Sequence, residues 1–376
     1  MNKVIVIGGG AAGLTAALSA AEAGASVTLL EGNEKLGKKI YITGKGRCNV
    51  TNACEPAAFL NKVVKNPRFL FSALNDFAPE DMMALLERLG CPVKVERGDR
   101  VFPVSDRAFD VSAALERRLK ALRVRLARDR AMALEITSGA VTAVRGAHGI
   151  YPAGAVILAT GGVSYPATGS TGEGHRMARE AGHTVTPLRG SLVPLRDYGL
   201  GRTLQGLSLR NVGLAVFEDR KKIYTDFGEM LFAHFGLTGP MILSASAHMR
   251  QMAPGRYEVH LDLKPALNAE MLDKRLQNDF VKYSNKNFSN SLQDLLPSKM
   301  IAPIVSLSGI DPHKKVNELR KEERRELVRL LKDLKLTVKN FRPIAEAIVT
   351  SGGVKVEEVD GRSMESKLVK GLYFAG

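Results

Sequence analysis

Residues 4–13 read Val-Ile-Val-Ile-Gly-Gly-Gly-Ala-Ala-Gly, and this stretch constrains the fold more than any other. Val4 to Ile7 is a short β-branched run of the kind buried on both faces of a parallel sheet. Gly8, Gly10 and Gly13 then form G-x-G-x-x-G where a strand turns into a helix. Gly8 permits the tight turn, Gly10 lets a pyrophosphate approach the backbone, and Gly13 lets helix and strand pack closely. The alanine-rich segment Ala11 to Ala23 predicts a helix whose N-terminal N–H groups face an anion, and Gly24 ends it. A second apolar run, Ser26 to Leu30, follows, and Glu31 at its end can accept both hydroxyls of an adenosine ribose. A glycine-rich turn alone is common. Here the strand before it, the helix after it, the second strand and the terminal acid are all present, which is the context a dinucleotide site demands.

A chain of 376 residues, 45% of them hydrophobic, can build two or three domains with a real core. No apolar run approaches the ~20 residues that span a bilayer, and the N-terminus enters a strand at once, so neither a membrane span nor a signal peptide is expected. The three cysteines, Cys48, Cys54 and Cys91, are too few and too irregular for a disulfide framework, and a cytoplasmic location is the expectation. The net charge is +15, from 54 basic and 39 acidic residues. The excess is spread along helix-like stretches such as Arg320 to Lys335, where signs alternate as on a solvated face. No arginine-rich tail or base-stacking platform accompanies it, so a small molecule rather than nucleic acid is the expected partner. The sequence sets no oligomeric state.

Ala155 to Ala159 (AVILA) runs into Thr160-Gly161-Gly162, a second parallel strand opening into a glycine turn. Helices are expected over Glu80 to Gly90 and Ala108 to Ala121. A strand around Val124–Leu126 and a meander over Met132–Thr137, Ala140–Arg145 and Gly149–Tyr151 come next. Leu207 to Phe217, Lys222 to Asp226 and Tyr257 to Leu263 alternate as strands of an antiparallel sheet or barrel. Residues 265–340 read as helical, with Pro297, Pro303 and Pro312 as breakers. Strand character returns at 344–350 and at Leu372 to Ala375. The expected organisation is a nucleotide-binding domain over 1–190, an inserted barrel over 191–263, a helical subdomain over 264–340, and a return through 341–376.

Three further segments narrow the reading: Gly37-Lys38-Lys39-Ile40-Tyr41-Ile42-Thr43-Gly44-Lys45-Gly46-Arg47-Cys48-Asn49-Val50-Thr51-Asn52, then 159–174 (ATGGVSYPATGSTGEG), then Phe232 to Pro240 (FAHFGLTGP) with its echo at Thr350 to Val354. With the N-terminus they closely resemble, over essentially the whole chain, the aminoacetone oxidase family of FAD-binding enzymes, bacterial oxidoreductases that include a flavin reductase of bile-acid 7-dehydroxylation. The resemblance implies an α/β fold: a Rossmann-like FAD-binding domain of the glutathione-reductase type with an inserted β-barrel and a helical subdomain. It implies FAD as cofactor and NAD(P)H as reductant. Gly8, Gly10, Ala11, Ala12 and Gly13 would meet the pyrophosphate and Glu31 with Gly32 the ribose. Lys38, Gly46, Arg47, Cys48, Asn49 and Asn52 would lie along the phosphate and ribityl side. Ala131, Thr160, Gly161, Gly162 and Gly376 would complete the wall. The residue types agree: Lys38 and Arg47 can neutralise a diphosphate, and Asn49, Thr51 and Asn52 offer neutral donors and acceptors.

Cys48 and Cys54 are separated by five residues rather than the four of disulfide-reducing flavoproteins, so they read as structural or flavin-packing thiols, and Cys91 reads as core. Tyr165 and His234 are the candidate proton donors, with His175 behind them; His234 equally suits a partly buried ring bonded to a carbonyl. No HExxH or CxxC pattern occurs, so no metal is expected. Related flavoproteins continue past the final Phe-Ala-Gly with an acidic, glycine-rich loop and a helix that touch the cofactor. This sequence stops at Gly376, so weakened FAD binding is the expectation. The leading function is transfer of hydride from NAD(P)H through flavin N5 to an activated C=C of a small organic substrate. An oxygen-using amine oxidase and an FAD-dependent RNA-modifying or RNA-binding protein are the alternatives.

Overall fold

A computed structural model describes residues 2–376. The chain divides into two compact units, the first running to Arg189 and resuming from Thr350 to Gly376, the second comprising Gly190–Val349.

In the first unit a five-stranded parallel sheet is ordered Leu372–Phe374, Ala155–Leu158, Lys3–Ile7 (β1), Ser26–Leu30 (β2), Arg125–Ala127. β1 is central, pairing Val4 with both Val27 and Ala155. Its side chains alternate between two cores, as the period of two requires. Val4 and Val6 join Leu14, Ala17 and Leu18 of the helix Ala11–Glu22 (α1) and Leu115 and Leu119 of the helix Ala108–Ala121. Ile5 and Ile7 join Val144 of a three-stranded meander, Met177 and Leu372 on the other face. Each fully buried Val, Leu or Ile of this set contributes about 1.5–3 kcal/mol of transfer free energy, so a polar substitution in β1 would weaken the layer that its side chain faces. The meander comprises Ala131–Thr137, Ala140–Gly146 and Ile150–Pro152. Its entry is pinned by Asp129, a buried carboxylate that accepts from the backbone N–H groups of Arg130, Ala147 and His148 and from the Tyr151 hydroxyl at 2.8 Å.

The second unit is built on a closed six-stranded barrel of Leu195–Asp197, Gly236–Thr238, Lys221–Ala233, Ser208–Glu218, Tyr257–Asp262 and Leu334–Phe341. Closure removes every free sheet edge. Helices Ala269–Lys282, Ser298–Ser308 and Lys321–Lys332 pack their apolar faces into the barrel's core. Asn268 caps the first of them, its side chain accepting from Met271 N at 2.8 Å.

Three sequence expectations need correction. Of residues 344–350, expected as a strand, Ile344–Glu346 form a short 3-10 turn and only Val349–Ser351 is extended into a strand. Residues 334–340 are not helical; they form the strand that closes the barrel between Tyr257–Asp262 and Leu195–Asp197. Leu334, Leu336 and Val338 alternate inward there, a period-two signal overlain in sequence by the charged helix just before it. Pro303 does not break a helix but sits inside Ser298–Ser308. The missing hydrogen bond is offset by burial of Met300, Ile304 and Val305 on either side of it.

Candidate functional site

A cavity of about 590 Å³ opens in the first unit at the carboxyl ends of β1 and β2, where an open parallel sheet binds ligands. Gly8 makes the turn out of β1 at φ +102°, its N–H bonded to the Leu30 carbonyl at 2.8 Å. A side chain on Gly8 would run into the Ala159 carbonyl 2.6 Å away, and one on Gly13 would strike the Gly8 carbonyl. These two glycines are thus required by strand–helix packing. Gly10 differs: a Cβ built there meets nothing within 4 Å. It is the N-cap of α1, with extended backbone, no side chain closing the helix end and no acid in the first turn. The open space and the unsatisfied N–H groups of that turn make a seat for an anion.

Glu31 is held rigidly at the end of β2. One carboxylate oxygen accepts from Gly9 N at 2.7 Å, and the other from Asn33 N and Asn33 Nδ2, both at 2.7 Å. Lys38 lines the cavity and leans on Glu34 at 3.2 Å. Lys39 lines it too, donating to the Ser164 carbonyl at 3.0 Å and Ser170 Oγ at 2.8 Å. Burial lowers the Lys39 pKa below its ordinary value. Arg130, paired with Glu173 at 2.6 Å, completes a cationic rim. A seat for an anion, an acid at the β2 end and three cations fit a dinucleotide such as FAD.

Of the residues singled out in the sequence, Gly8, Gly10, Ala11, Ala12, Glu31, Gly32, Lys38, Cys48, Asn49, Ala131, Thr160, Gly161 and Gly376 line this one cavity. The others do not. Arg47 points away: its guanidinium pairs with Glu96 and with Asp106 at 2.8 Å and stacks 4.1 Å over the Phe102 ring. Two acids beside an arginine outcompete a distant phosphate, and they hold its pKa above the ordinary value. Asn52 donates to the Gly98 carbonyl at 2.9 Å. Gly46 lies in the irregular turn Thr43–Gly46 outside the lining. Gly162 packs against Thr350, whose hydroxyl accepts from Val163 N at 2.9 Å. Tyr165 sits at φ +49° in a turn whose later residues, Pro166 to Thr171, line the cavity while the tyrosine itself is exposed. His234 is exposed in the second unit, edge-on to Phe235 at 4.9 Å. Cys48 is buried, and burial pushes its thiol pKa up to about 11, so it is no nucleophile at neutral pH. Cys91 is buried as well.

Lys39, Asn33 and Arg130 escaped the sequence reading. Lys39 stands beside Lys38 with nothing in the sequence to separate them; the short helix Lys38–Ile42 turns Lys39 towards the Ser164–Ser170 turn. The pair Asp129-Arg130 just before the meander was the available signal for the third cation. Among the described residues all three cysteines are free, no cluster of ligands could hold a metal, and no helix is long and apolar enough to cross a membrane.

Fold and cavity together define a Rossmann-type dinucleotide-binding protein, and comparison with known proteins narrows the class to flavoproteins. The family profile HI0933-like protein Rossmann domain matches residues 2–376. The 3-dehydro-bile acid delta(4,6)-reductase of Clostridium scindens is 32% identical, covering 100% of this chain and 92% of that protein. The ribosomal RNA dihydrouridine synthase of Escherichia coli is 30% identical, covering 99% of this chain and 90% of that protein. Among solved structures, the 3-ketosteroid-delta4-(5alpha)-dehydrogenase of Rhodococcus jostii aligns over 100% of this chain and 90% of its own, with 14% identity and a TM-score of 0.49. The chain belongs to the HI0933-like family of FAD-binding Rossmann proteins and is an FAD-dependent oxidoreductase.

Proposed function

We propose that this enzyme reduces a carbon–carbon double bond conjugated to a carbonyl in a small organic substrate, with NAD(P)H as the source of hydride. The observation that supports this most is full-length similarity to a bile-acid delta(4,6)-reductase. Dihydrouridine, the product in the name of the Escherichia coli relative, is uridine whose ring C=C beside a carbonyl has been saturated. The two names therefore describe one bond change on different carriers.

The anion seat at Gly10 to Ala12 takes the cofactor's pyrophosphate, with Lys38 and Arg130 balancing its charge. Glu31, already aligned by Gly9 N and Asn33, accepts the ribose hydroxyls. Asn49 and Thr43, on the same wall, offer neutral hydrogen-bonding groups towards the ring end. Lys39 ties down the turn Ser164 to Ser170 that roofs the cavity. FAD held there would supply the hydride-transfer chemistry that links NAD(P)H to the substrate.

A second reading, reduction of uridine within RNA, draws on the net charge of +15 and on the Escherichia coli relative. Anaerobic NADH and NADPH oxidation by the FAD-loaded enzyme, run with enone steroids, quinones, amino ketones and undermodified ribosomal RNA, separates the possibilities. Enone-dependent oxidation with formation of the saturated ketone supports the first reading. Dihydrouridine formed in RNA with no enone turnover overturns it for the second. Peroxide formation from an amino ketone in air overturns it for the oxidase named by the aminoacetone oxidase resemblance.

A further inference from the structure

A second cavity, of about 440 Å³, lies in the same unit and shares Thr160, Gly161 and Gly376 with the dinucleotide cavity. Its wall is apolar: Phe69 and Leu70 come from one short turn, Val359 and Met364 from the segment before the last strand, and Phe374 from that strand. No Asp, Glu, Lys or Arg lines it. The lining offers no side-chain countercharge to a phosphate or carboxylate, so the cavity favours an uncharged body and leaves any charged substituent at its open mouth.

One titratable side chain faces this space. His175, on the helix Glu173–Glu180, lines the chamber beside Gly353, and a methyl on Gly353 would lie 3.5 Å from His175 Nε2. His175 Nδ1 is buried with no hydrogen-bond partner. A stranded N–H costs more than a stranded lone pair and is the rarer of the two, so the neutral ring carries its proton on Nε2, at the edge beside the bare Gly353 backbone. Burial, and then the charge of Arg179, lower the His175 pKa, so the ring is neutral at physiological pH. The cavity therefore offers one side-chain N–H donor in a largely apolar, half-open recess of small-molecule size, next to the wall shared with the cofactor cavity.

We propose that this chamber is the substrate pocket, that it takes a flat apolar cyclic enone, and that His175 Nε2–H hydrogen-bonds the enone carbonyl. The inference rests on the reading of the enzyme as a conjugated C=C reductase. FAD held in the neighbouring cavity would supply hydride chemistry fed by NAD(P)H, and the β-carbon of the enone would accept that hydride. The C=C electron pair shifts to give an enolate, and the Nε2–H donor holds the negative oxygen as charge builds there. A proton from water adds to the α-carbon. NAD(P)H is oxidised to NAD(P)⁺, the substrate gains two hydrogens as a saturated ketone, and His175 ends as it began.

The test uses the FAD-loaded enzyme and 4-androstene-3,17-dione, with dione binding measured by calorimetry in the absence of NAD(P)H and flavin content measured by absorbance. His175→Ala is expected to raise the dione Kd about tenfold and to lower kcat about 10²-fold, and His175→Asn, which restores an N–H donor, to recover part of both. Leu70→Trp fills the chamber from its wall and is expected to abolish dione binding, again with flavin content intact. Wild-type Kd in both His175→Ala and Leu70→Trp would overturn the chamber. Dione binding lost in both, in an enzyme that reduces no enone at all, would uphold the chamber and overturn the reductase reading instead.

Discussion

At the scale of single residues, the three glycines of one motif carry different loads. Gly8 and Gly13 are demanded by the chain itself, because a Cβ on either meets backbone. Gly10 is demanded by nothing in the protein, since its Cβ would enter open space. Gly10→Val is therefore expected to leave the fold and melting temperature nearly unchanged while abolishing FAD binding; normal flavin retention in the folded variant would refute the placement of the pyrophosphate. Glu31→Gln should weaken FAD by about 1.5–3 kcal/mol through loss of a charged acceptor, read by fluorescence titration of the apoprotein. An unchanged Kd would show that the carboxylate serves only Gly9 and Asn33. Motif residues were legible because the backbone they constrain is local. Arg47 was misjudged because its partners, Glu96 and Asp106, lie about fifty and sixty residues on, and no spacing rule reveals a competitor that distant. Cys48 offers a check on the buried wall: labelled with iodoacetamide at neutral pH, the folded protein should react at Cys54 well before Cys48, whose thiol is buried and pushed up to about 11.

At the scale of elements, strands and helices with a single clear period were readable within a residue or two, as Ala108–Ala121 and Ala155–Leu158 show. The strand Leu334–Phe341 was not. Its alternation begins two residues after a charged amphipathic helix ends, so a window wide enough to sense either period mixes both. The meander raises a different point, since one buried carboxylate holds its entry. Asp129 would be raised by burial alone, but the Tyr151 hydroxyl, His148 and backbone N–H donors outweigh this and hold its pKa at about 2, below the ordinary 3.8. Because the folded value is the lower one, the stabilisation is complete above the unfolded value and is lost as pH falls from about 4 through about 2. Denaturant melts of the wild type should weaken across that interval, and Asp129→Ala should flatten this dependence. The same variant should cost about 1–3 kcal/mol at neutral pH by orphaning buried donors. Equal acid sensitivity in both proteins would remove Asp129 from this role.

At the scale of the whole molecule, the cores respect the division into two units. One core belongs wholly to the barrel unit, and two flank the parallel sheet of the other. FAD at a hundred times its Kd should stabilise the sheet unit by about 2.7 kcal/mol through mass action alone. In calorimetry the transition that responds should be the one lost on mutating Val6, while a barrel mutation such as Leu336→Ala leaves the FAD-induced shift intact. The sheet unit is also made from two separated stretches of chain, and this has a consequence for its biosynthesis. The strand Leu372–Phe374 pairs with Ala155–Leu158, but more than two hundred residues, including a complete barrel, leave the ribosome between them. The barrel can close while the nucleotide sheet still lacks an edge strand and the Gly376 wall of its cavity. A released chain truncated after residue 350 should thus carry a protease-resistant barrel but no flavin, because the strand Leu372–Phe374 that edges the nucleotide sheet is missing from it.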